Sequence, residues 1–216
     1  IDAITIQYRD TQFYKKYKKF ILNDSVYEVI SAKIKSRNKL FGVAIKDSNK
    51  INFFEKINTD FYKIIEKDLE NEELMERILL SNAKKIYLST GMSSGDEIMN
   101  VLDRYKKIDK ERVILIHTTL SNKINKVNLE SIRFMREKFS MNVAYGSHCE
   151  EYKSILISIG YSPESIFFYV KGNKFEKHPD QEYAIDLDFV DKLIEEVRHS
   201  QLSIGEYDKK KIFDIE

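Results

Sequence analysis

The chain alternates short apolar runs with segments of helical spacing along nearly its whole length. The runs are rich in β-branched and aromatic residues, as expected of strands that a parallel sheet buries on both faces. They occupy residues 3–8, 40–45, 61–65, 84–89, 112–117, 142–146 and 165–170. This alternation predicts an α/β domain built on a parallel sheet.

Apolar stripes at helical spacing separate the runs. The clearest stripe follows the i, i+3, i+4, i+7 spacing of an amphipathic helix. Its members are Ile98, Val101, Leu102 and Tyr105. Ser93 or Ser94 precedes it, where a hydroxyl can cap the first backbone N–H groups. Similar stripes within residues 129–139 and 190–197 predict two further helices.

Seven β/α units fit neither common parallel architecture directly. An open doubly wound sheet usually has about five or six strands, whereas the closed barrel needs eight strands and about 250 residues. The chain has 216 residues and reaches its first apolar run almost at once. We therefore predict a (β/α)8 TIM barrel that lacks its first β/α unit. Strands two to eight form one domain over residues 1–216, with the first unit expected upstream.

Composition narrows the class of protein. Hydrophobic residues make up 42% of the chain and charged residues 33%, without an apolar run long enough to span a bilayer. The net charge of +1 gives no general attraction to nucleic acid. The single cysteine, Cys149, excludes an internal disulfide and suggests a reducing compartment. We expect a cytoplasmic protein with neither a membrane nor a nucleic-acid partner.

The fourth run ends in a segment suited to binding an anion. Ser89, Thr90 and Gly91 stand where a strand gives way to a helix, so that hydroxyls and backbone N–H groups can hold a phosphate or carboxylate. Ser-Thr-Gly also forms ordinary caps and turns, and the segment alone leaves both interpretations open. On the first interpretation Ser89 and Thr90 bind substrate.

Several short segments resemble one family in their order and spacing. They are residues 61–64 (FYKI), 86–92 (IYLSTGM), 114–119 (ILIHTT), 127–129 (VNL) and 179–182 (PDQE), the last leading into residues 187–198. In these segments the chain resembles the sialic acid synthase family. That family condenses phosphoenolpyruvate with N-acetylmannosamine or a related amino sugar on a (β/α)8 barrel. The resemblance implies a polysaccharide-biosynthesis transferase, and it extends over nearly all of the chain.

The resemblance also implies roles for individual residues. Lys63 matches a fourth-strand lysine that holds phosphoenolpyruvate, and Gln7 and Ser89 match family residues beside it. Asp68 stands in for a family glutamate, so that Lys63 and Asp68 are the implied catalytic pair. Asp180 matches an acid that binds sugar hydroxyls.

Several positions depart from the family pattern, among them Thr5, Glu66, Gly146 and Ser147. Thr5 replaces a second-strand lysine, which removes a positive charge that a phosphate would use. Glu66 stands where the family has a serine. These departures leave open a barrel that has kept the fold without the reaction and acts as a binding or scaffolding module. A third possibility is a metal-independent enzyme acting on another phosphorylated carbonyl compound.

The family binds a divalent ion, manganese or magnesium, through two histidines at the ends of its seventh and eighth strands. The ion polarises the sugar aldehyde. His148 matches the first histidine. The strand alignment puts Tyr169 or Val170 at the second, whereas His178 lies in a Glu-Lys-His tripeptide that occurs eight residues later. We name His148 and His178 as the candidate metal ligands.

Family members usually carry a C-terminal antifreeze-like domain that completes the partner's active site in a homodimer. We find no such domain within residues 1–216, and we leave a homodimer as a possibility. The expected partners are therefore phosphoenolpyruvate and an amino sugar.

Overall fold

Seven parallel strands form a single curled sheet in the computed structural model, which describes residues 1–8, 20–105, 108–172 and 180–205. The strands are β1 (Ala3–Gln7), β2 (Leu40–Ala44), β3 (Phe61–Ile64), β4 (Lys85–Ser89), β5 (Val113–Thr118), β6 (Val143–Gly146) and β7 (Ile166–Phe167). Each strand pairs in parallel with the next one along the chain. All seven predicted runs contribute a strand, and the TIM-barrel prediction with one unit lacking is confirmed.

Helices connect successive strands and cover the outside of the sheet. They are α1 (Asp24–Lys35), α2 (Ile51–Lys56), α3 (Glu72–Leu79), α4 (Gly95–Arg104), α5 (Glu130–Phe139), α6 (Lys153–Ser158) and α7 (Leu187–Ile204). Short 3-10 turns occur at Ser48–Lys50, Glu66–Asp68, Ile124–Lys126 and Ile159–Tyr161. Within the described ranges, none of the helices combines the length and apolarity that crossing a membrane requires.

The α4 helix begins as its sequence predicts. The Ser94 hydroxyl accepts a hydrogen bond from the Glu97 N–H at 3.3 Å, and the Glu97 carboxylate accepts one from the Ser94 N–H at 2.6 Å. This reciprocal capping box satisfies two backbone donors that the helix itself leaves unpaired. Of the two serines considered, Ser94 is therefore the N-cap.

The sheet has two apolar faces, because successive side chains of a strand alternate in direction. The outer face packs under the helices and carries the larger core, including Tyr62, Ile64 and Leu88. The inner face holds a smaller cluster inside the barrel. Its buried members are Phe61, Tyr87, Ile114, Ile116 and Ala144.

Gly42 makes room for the inner cluster. A Cβ added to Gly42 would lie 2.1 Å from the ring of Phe61, far inside van der Waals contact. The Phe61 ring in turn meets the Tyr87 ring edge-on, with centroids 5.4 Å apart. Glycine is therefore required on β2 for the inner aromatic rings to pack.

The barrel is open between β1 and β7. Among the described strands, β1 pairs with β2 alone and β7 with β6 alone, so that each leaves one edge unpaired. Residues 1–7 and 162–170 together line a cavity of about 1230 Å³ that lies between the two edges and extends into the barrel. The opening is where an eighth strand of a closed barrel would lie.

The last predicted run is not one continuous strand. After β7 the chain leaves the main sheet, and β8 (Val170–Lys171) pairs instead with β9 (Ile185–Asp186). The Ile185 N–H donates a hydrogen bond to the Tyr169 carbonyl at 2.8 Å. This small second sheet fastens the segment that begins at Asp180 to the end of β7.

Candidate active site

Polar side chains gather inside the barrel at the carboxyl ends of the strands. Lys63 lies on β3, Ser89 ends β4, Thr118 ends β5, and His148 follows β6. The carboxyl ends of parallel barrel strands open on one face, where barrel enzymes place their active sites. These residues therefore make this mouth of the barrel the candidate site.

The Lys63 side chain is buried within this mouth. It is only 8% exposed, and it lines the cavity together with Thr5, Gln7 and Asp180. Its Nζ atom lies 5.2 Å from the centre of the Phe167 ring and 5.8 Å from that of Tyr169. Among the described residues, no hydrogen bond or ion pair joins this ammonium group.

Burial changes the acidity of Lys63. Desolvation lowers its pKa from 10.5 to about 8, and the negative charge of Asp180 opposes that change. At neutral pH the side chain is still mostly charged. A buried cation without a matching anion has a strong preference for an anionic ligand.

His148 is held on three sides. Its Nδ1 atom lies 2.7 Å from the Thr118 hydroxyl oxygen. Its ring packs against those of Tyr169 and Tyr183, with centroids 5.1 and 4.8 Å away. Burial and the nearby charge of Lys63 lower the pKa of His148 to about 4, against an opposing effect of Asp180. The imidazole is therefore neutral at physiological pH.

Asp180 joins the site from the segment that follows β8. The Tyr183 hydroxyl donates a hydrogen bond to the Asp180 carboxylate at 2.6 Å. The Ala184 N–H donates to the Asp180 carbonyl at 3.0 Å, which closes a tight turn. Because Asp180 acts electrostatically on both Lys63 and His148, the structure brings these three predicted residues together.

The segment after β4 is built as a tight turn. Ser89 is buried, and the Thr90 hydroxyl donates to the Ile116 carbonyl at 3.0 Å, which ties β4 to β5. Gly91 has a positive φ of 50° and packs against Glu66. The Thr90 hydroxyl therefore donates its hydrogen bond to the backbone of the neighbouring strand. Ser89 points into the barrel, as Tyr87 does two residues earlier on the same strand.

Asp68 lies in the 3-10 turn after β3. Its Oδ2 atom is buried and has no hydrogen-bond partner among the described residues. Burial raises the pKa of this carboxyl group, although Lys46 and Lys67 act in the opposite direction. Asp68 is not among the described residues that line the cavity around Lys63. Its role in catalysis stays a prediction.

A divalent ion has an incomplete set of ligands in the described part of the chain. His148 and Asp180 are the side chains near Lys63 of a type that can ligate a metal ion, and no group of three His, Cys, Asp or Glu residues occurs within the described ranges. Catalytic metal sites generally use three protein ligands. The described residues alone do not fit the ion, and His178 lies outside them.

The sequence analysis did not assign a functional role to three residues of the site. Thr118, Tyr169 and Tyr183 orient or enclose His148. Alternation along β5 could have identified Thr118, because its neighbour His117 points outward and bonds the Val127 carbonyl at 2.8 Å. Tyr183 contacts Asp180 through a turn that no sequence signal predicted.

Comparison with known proteins agrees with the geometry. The NeuB family profile matches residues 3–209. The chain belongs to the NeuB family. This membership confirms the resemblance to sialic acid synthases and accounts for the barrel with its polar mouth.

Individual relatives of this NeuB chain are distant. An N,N'-diacetyllegionaminic acid synthase of Campylobacter jejuni is 24% identical over 168 residues, which are 76% of this chain and 50% of that protein. An uncharacterized protein of Methanocaldococcus jannaschii is 21% identical over 203 residues, 93% of this chain and 60% of that protein. The chain thus spans about half the length of the curated relatives it matches.

The solved structures show the same fold. An N-acetylneuraminic acid synthetase from Leptospira borgpetersenii superimposes with a TM-score of 0.87 at 20% identity, covering 98% of this chain and 77% of that one. A 3-deoxy-D-arabino-heptulosonate 7-phosphate synthase from Thermotoga maritima gives a TM-score of 0.72 at 12% identity, covering 85% and 73%. At these identities the likeness establishes the barrel architecture.

Proposed function

We propose that this NeuB-family barrel takes part in sugar-acid synthesis by condensing phosphoenolpyruvate with an N-acetylated amino sugar. C3 of phosphoenolpyruvate bonds to the aldehyde carbon, and the aldehyde oxygen takes up a proton. Water supplies a new oxygen at C2, and phosphate leaves. The product is a nine-carbon acidic sugar for a surface polysaccharide.

The Lys63 ammonium is the observation that carries this proposal. It is buried, it lines the cavity, and the rings of Phe167 and Tyr169 lie within 6 Å of its Nζ atom. Phosphoenolpyruvate carries a carboxylate and a phosphate, either of which gives this cation a charge-assisted partner. In the proposed complex Lys63 holds the anion and stabilises charge that develops on it.

The remaining predicted residues take supporting roles in the proposal. Gln7 lines the same cavity and Ser89 lies at the strand end beside it, so both have the position to bind the anion. Asp180 accepts hydrogen bonds from sugar hydroxyls. Asp68, with its raised pKa, is proposed as an acid–base group.

The alternative of a barrel without synthase activity has specific support. Thr5 lines the cavity in place of a second lysine. Tyr169, one of the two residues that the strand alignment puts at the second histidine position, packs on His148. Loss of one charge-assisted bond weakens phosphate binding by roughly 1.5–3 kcal/mol. A phosphoenolpyruvate affinity that is too weak to measure would favour this alternative.

Isothermal titration of phosphoenolpyruvate into the protein at pH 7, with and without Mn²⁺, tests the proposal. We expect saturable binding that Lys63→Met abolishes. The matched control is Lys85→Met, because Lys85 lines the same cavity but pairs with Glu164. Tighter binding with Mn²⁺ would support a divalent ion in the reaction. Absence of binding in both conditions, from folded protein, would contradict the synthase proposal.

A further inference from the structure

Lys63 has the surroundings of a reactive amine as well as those of an anion-binding cation. It lies inside the barrel, more than nine-tenths buried, and its side chain lines the cavity together with Gln7 and Asp180. The faces of the Phe167 and Tyr169 rings flank the amino group. Among described residues no ion pair or hydrogen bond holds its protons.

A lysine becomes a nucleophile when it loses its proton, and a hydrophobic enclosure favours that loss. Here the enclosure lowers the pKa of Lys63 to about 8, so that about a tenth of the side chain is neutral at pH 7. The negative charge of Asp180 opposes this lowering of the Lys63 pKa. His148, which follows β6 and is neutral, is the other titratable group that interacts with Lys63. Tyr87 and Tyr169 are the phenols nearest the same cavity.

Lys85 provides a comparison within the same cavity. It lines the opposite, amino-terminal end, where its ammonium group forms an ion pair with Glu164. Glu164 also accepts a hydrogen bond from the Tyr87 hydroxyl at 3.2 Å. Among the residues that the structure describes, Lys63 has no comparable ion pair. Both lysines therefore line the cavity, and they differ in that Lys85 has a carboxylate partner.

We infer that Lys63 forms an imine with a small carbonyl compound that enters the cavity, an activity separate from the binding of phosphoenolpyruvate. The Nζ lone pair bonds to the carbonyl carbon and gives a carbinolamine. The carbonyl oxygen and two hydrogens of the amine then leave as water, and a C=N bond remains. Protonation from solvent gives the iminium ion, which restores the positive charge at this position.

The polar groups around Lys63 indicate the class of carbonyl compound. Gln7 lines the cavity level with Lys63 in the strand register and carries an amide hydrogen-bond donor, while Thr5 lines the cavity one level nearer the amino-terminal end. The iminium cation itself favours a neighbouring carboxylate on the ligand. A 2-oxo acid satisfies both conditions, and pyruvate is the smallest stable example.

Anion binding and imine formation require opposite protonation states of the same side chain. Phosphoenolpyruvate binds the ammonium form, so its affinity falls as pH rises through about 8. Imine formation requires the free amine and becomes faster over the same interval. The two activities can therefore fail independently, and each has its own measurement.

The test treats the 216-residue chain with pyruvate and sodium borohydride, which reduces an imine to a stable secondary amine. Peptide mass spectrometry then locates the label. We expect Lys63 to be labelled at least tenfold more than Lys85, with a rate that rises severalfold between pH 7 and pH 9. Lys63→Arg should abolish the specific label, and Lys85→Arg should leave it unchanged.

Two results would overturn the inference. One is no label at Lys63 in the unsubstituted protein, which needs no variant to fold. The other is equal labelling of Lys63 and Lys85, which would reflect general amine chemistry. Phosphoenolpyruvate titration of the same protein separates this outcome from failure of the proposed function, because that titration does not involve imine formation.

Discussion

The hydroxyl oxygen of Thr118 lies 2.7 Å from Nδ1 of His148, which joins the end of β5 to the residue just after β6. Thr118 is buried, so this bond forms away from competing water. Together with the rings of Tyr169 and Tyr183, it fixes the plane of the imidazole at the barrel mouth.

Replacing Thr118 tests that bond directly. Thr118→Val keeps the shape of the side chain but leaves the His148 Nδ1 atom without its partner. We expect a loss of about 1 kcal/mol in the free energy of unfolding, measured with urea. Thr118→Ser retains the hydroxyl and should cost less. Equal stabilities for the valine variant and the parent would show that the bond contributes nothing.

Burial of the charged Lys63 side chain should lower the free energy of unfolding of the protein. Its folded pKa of about 8 lies below the ordinary 10.5, so the charged form is disfavoured by on the order of 3 kcal/mol at pH 7. Lys63→Met removes this cost and should stabilise the fold, with that figure as an upper bound. Urea unfolding at pH 7 measures the gain.

The same substitution has a predictable pH dependence. Between about pH 8 and pH 10.5 the unfolded chain holds a proton on Lys63 that the folded chain has released, so the parent gains stability as pH rises. The advantage of Lys63→Met should therefore shrink to about 1 kcal/mol at pH 10. An advantage that stays constant from pH 7 to pH 10 would argue against a depressed pKa.

Phosphoenolpyruvate affinity should follow the charge of Lys63. The ammonium form falls from about nine-tenths at pH 7 to about a tenth at pH 9, if its pKa is about 8. We expect the dissociation constant to rise about tenfold over this interval, measured by titration calorimetry. An affinity that does not change with pH would mean that Lys63 is not the group that binds the anion.

The inner aromatic cluster depends on Gly42. Gly42→Ala places a methyl group within 2.1 Å of the Phe61 ring, which cannot move freely because it packs on Tyr87. Overpacking of this kind costs roughly 1–3 kcal/mol. Gly160→Ala is the matched control, since nothing lies within 4 Å of the added atom. Thermal unfolding of both variants should show a loss in the first and little change in the second.

The cap of α4 offers a local test with adjacent residues. Ser94→Ala removes the hydroxyl that accepts from the Glu97 N–H and should destabilise the protein by about 1 kcal/mol. Ser93→Ala changes the neighbouring serine, which is not the cap residue, and should be nearly neutral. If the two substitutions destabilise the protein equally, loss of the capping box does not explain the effect of Ser94→Ala.

The strands and Lys63 could be predicted from sequence because both follow from local rules. A buried parallel strand requires a continuous apolar run, and a lysine placed within such a run must either pair or face a cavity. The resemblance added the expectation that this lysine lies at the barrel mouth. Its position in the structure agrees with that expectation, while its role stays a prediction.

Other features could not be predicted because they depend on distant contacts. Residues 166–170 are all aliphatic or aromatic, so nothing in the run marks the point after Phe167 where the chain leaves the main sheet. The partner of that segment is Ile185, fifteen residues beyond Val170. Asp68 matched a family position, yet it lies in the 3-10 turn after β3 and is not among the described residues that line the Lys63 cavity. The assignments of Asp68 and Thr90 remain predictions.

The sequential strand order has a consequence for how the domain forms. Every pairing in the main sheet joins strands that are neighbours along the chain, and none joins β1 to β7. The longest-range partner that any strand must find is therefore a single helix away. Each of the described β/α units can therefore dock on the preceding unit as it leaves the ribosome.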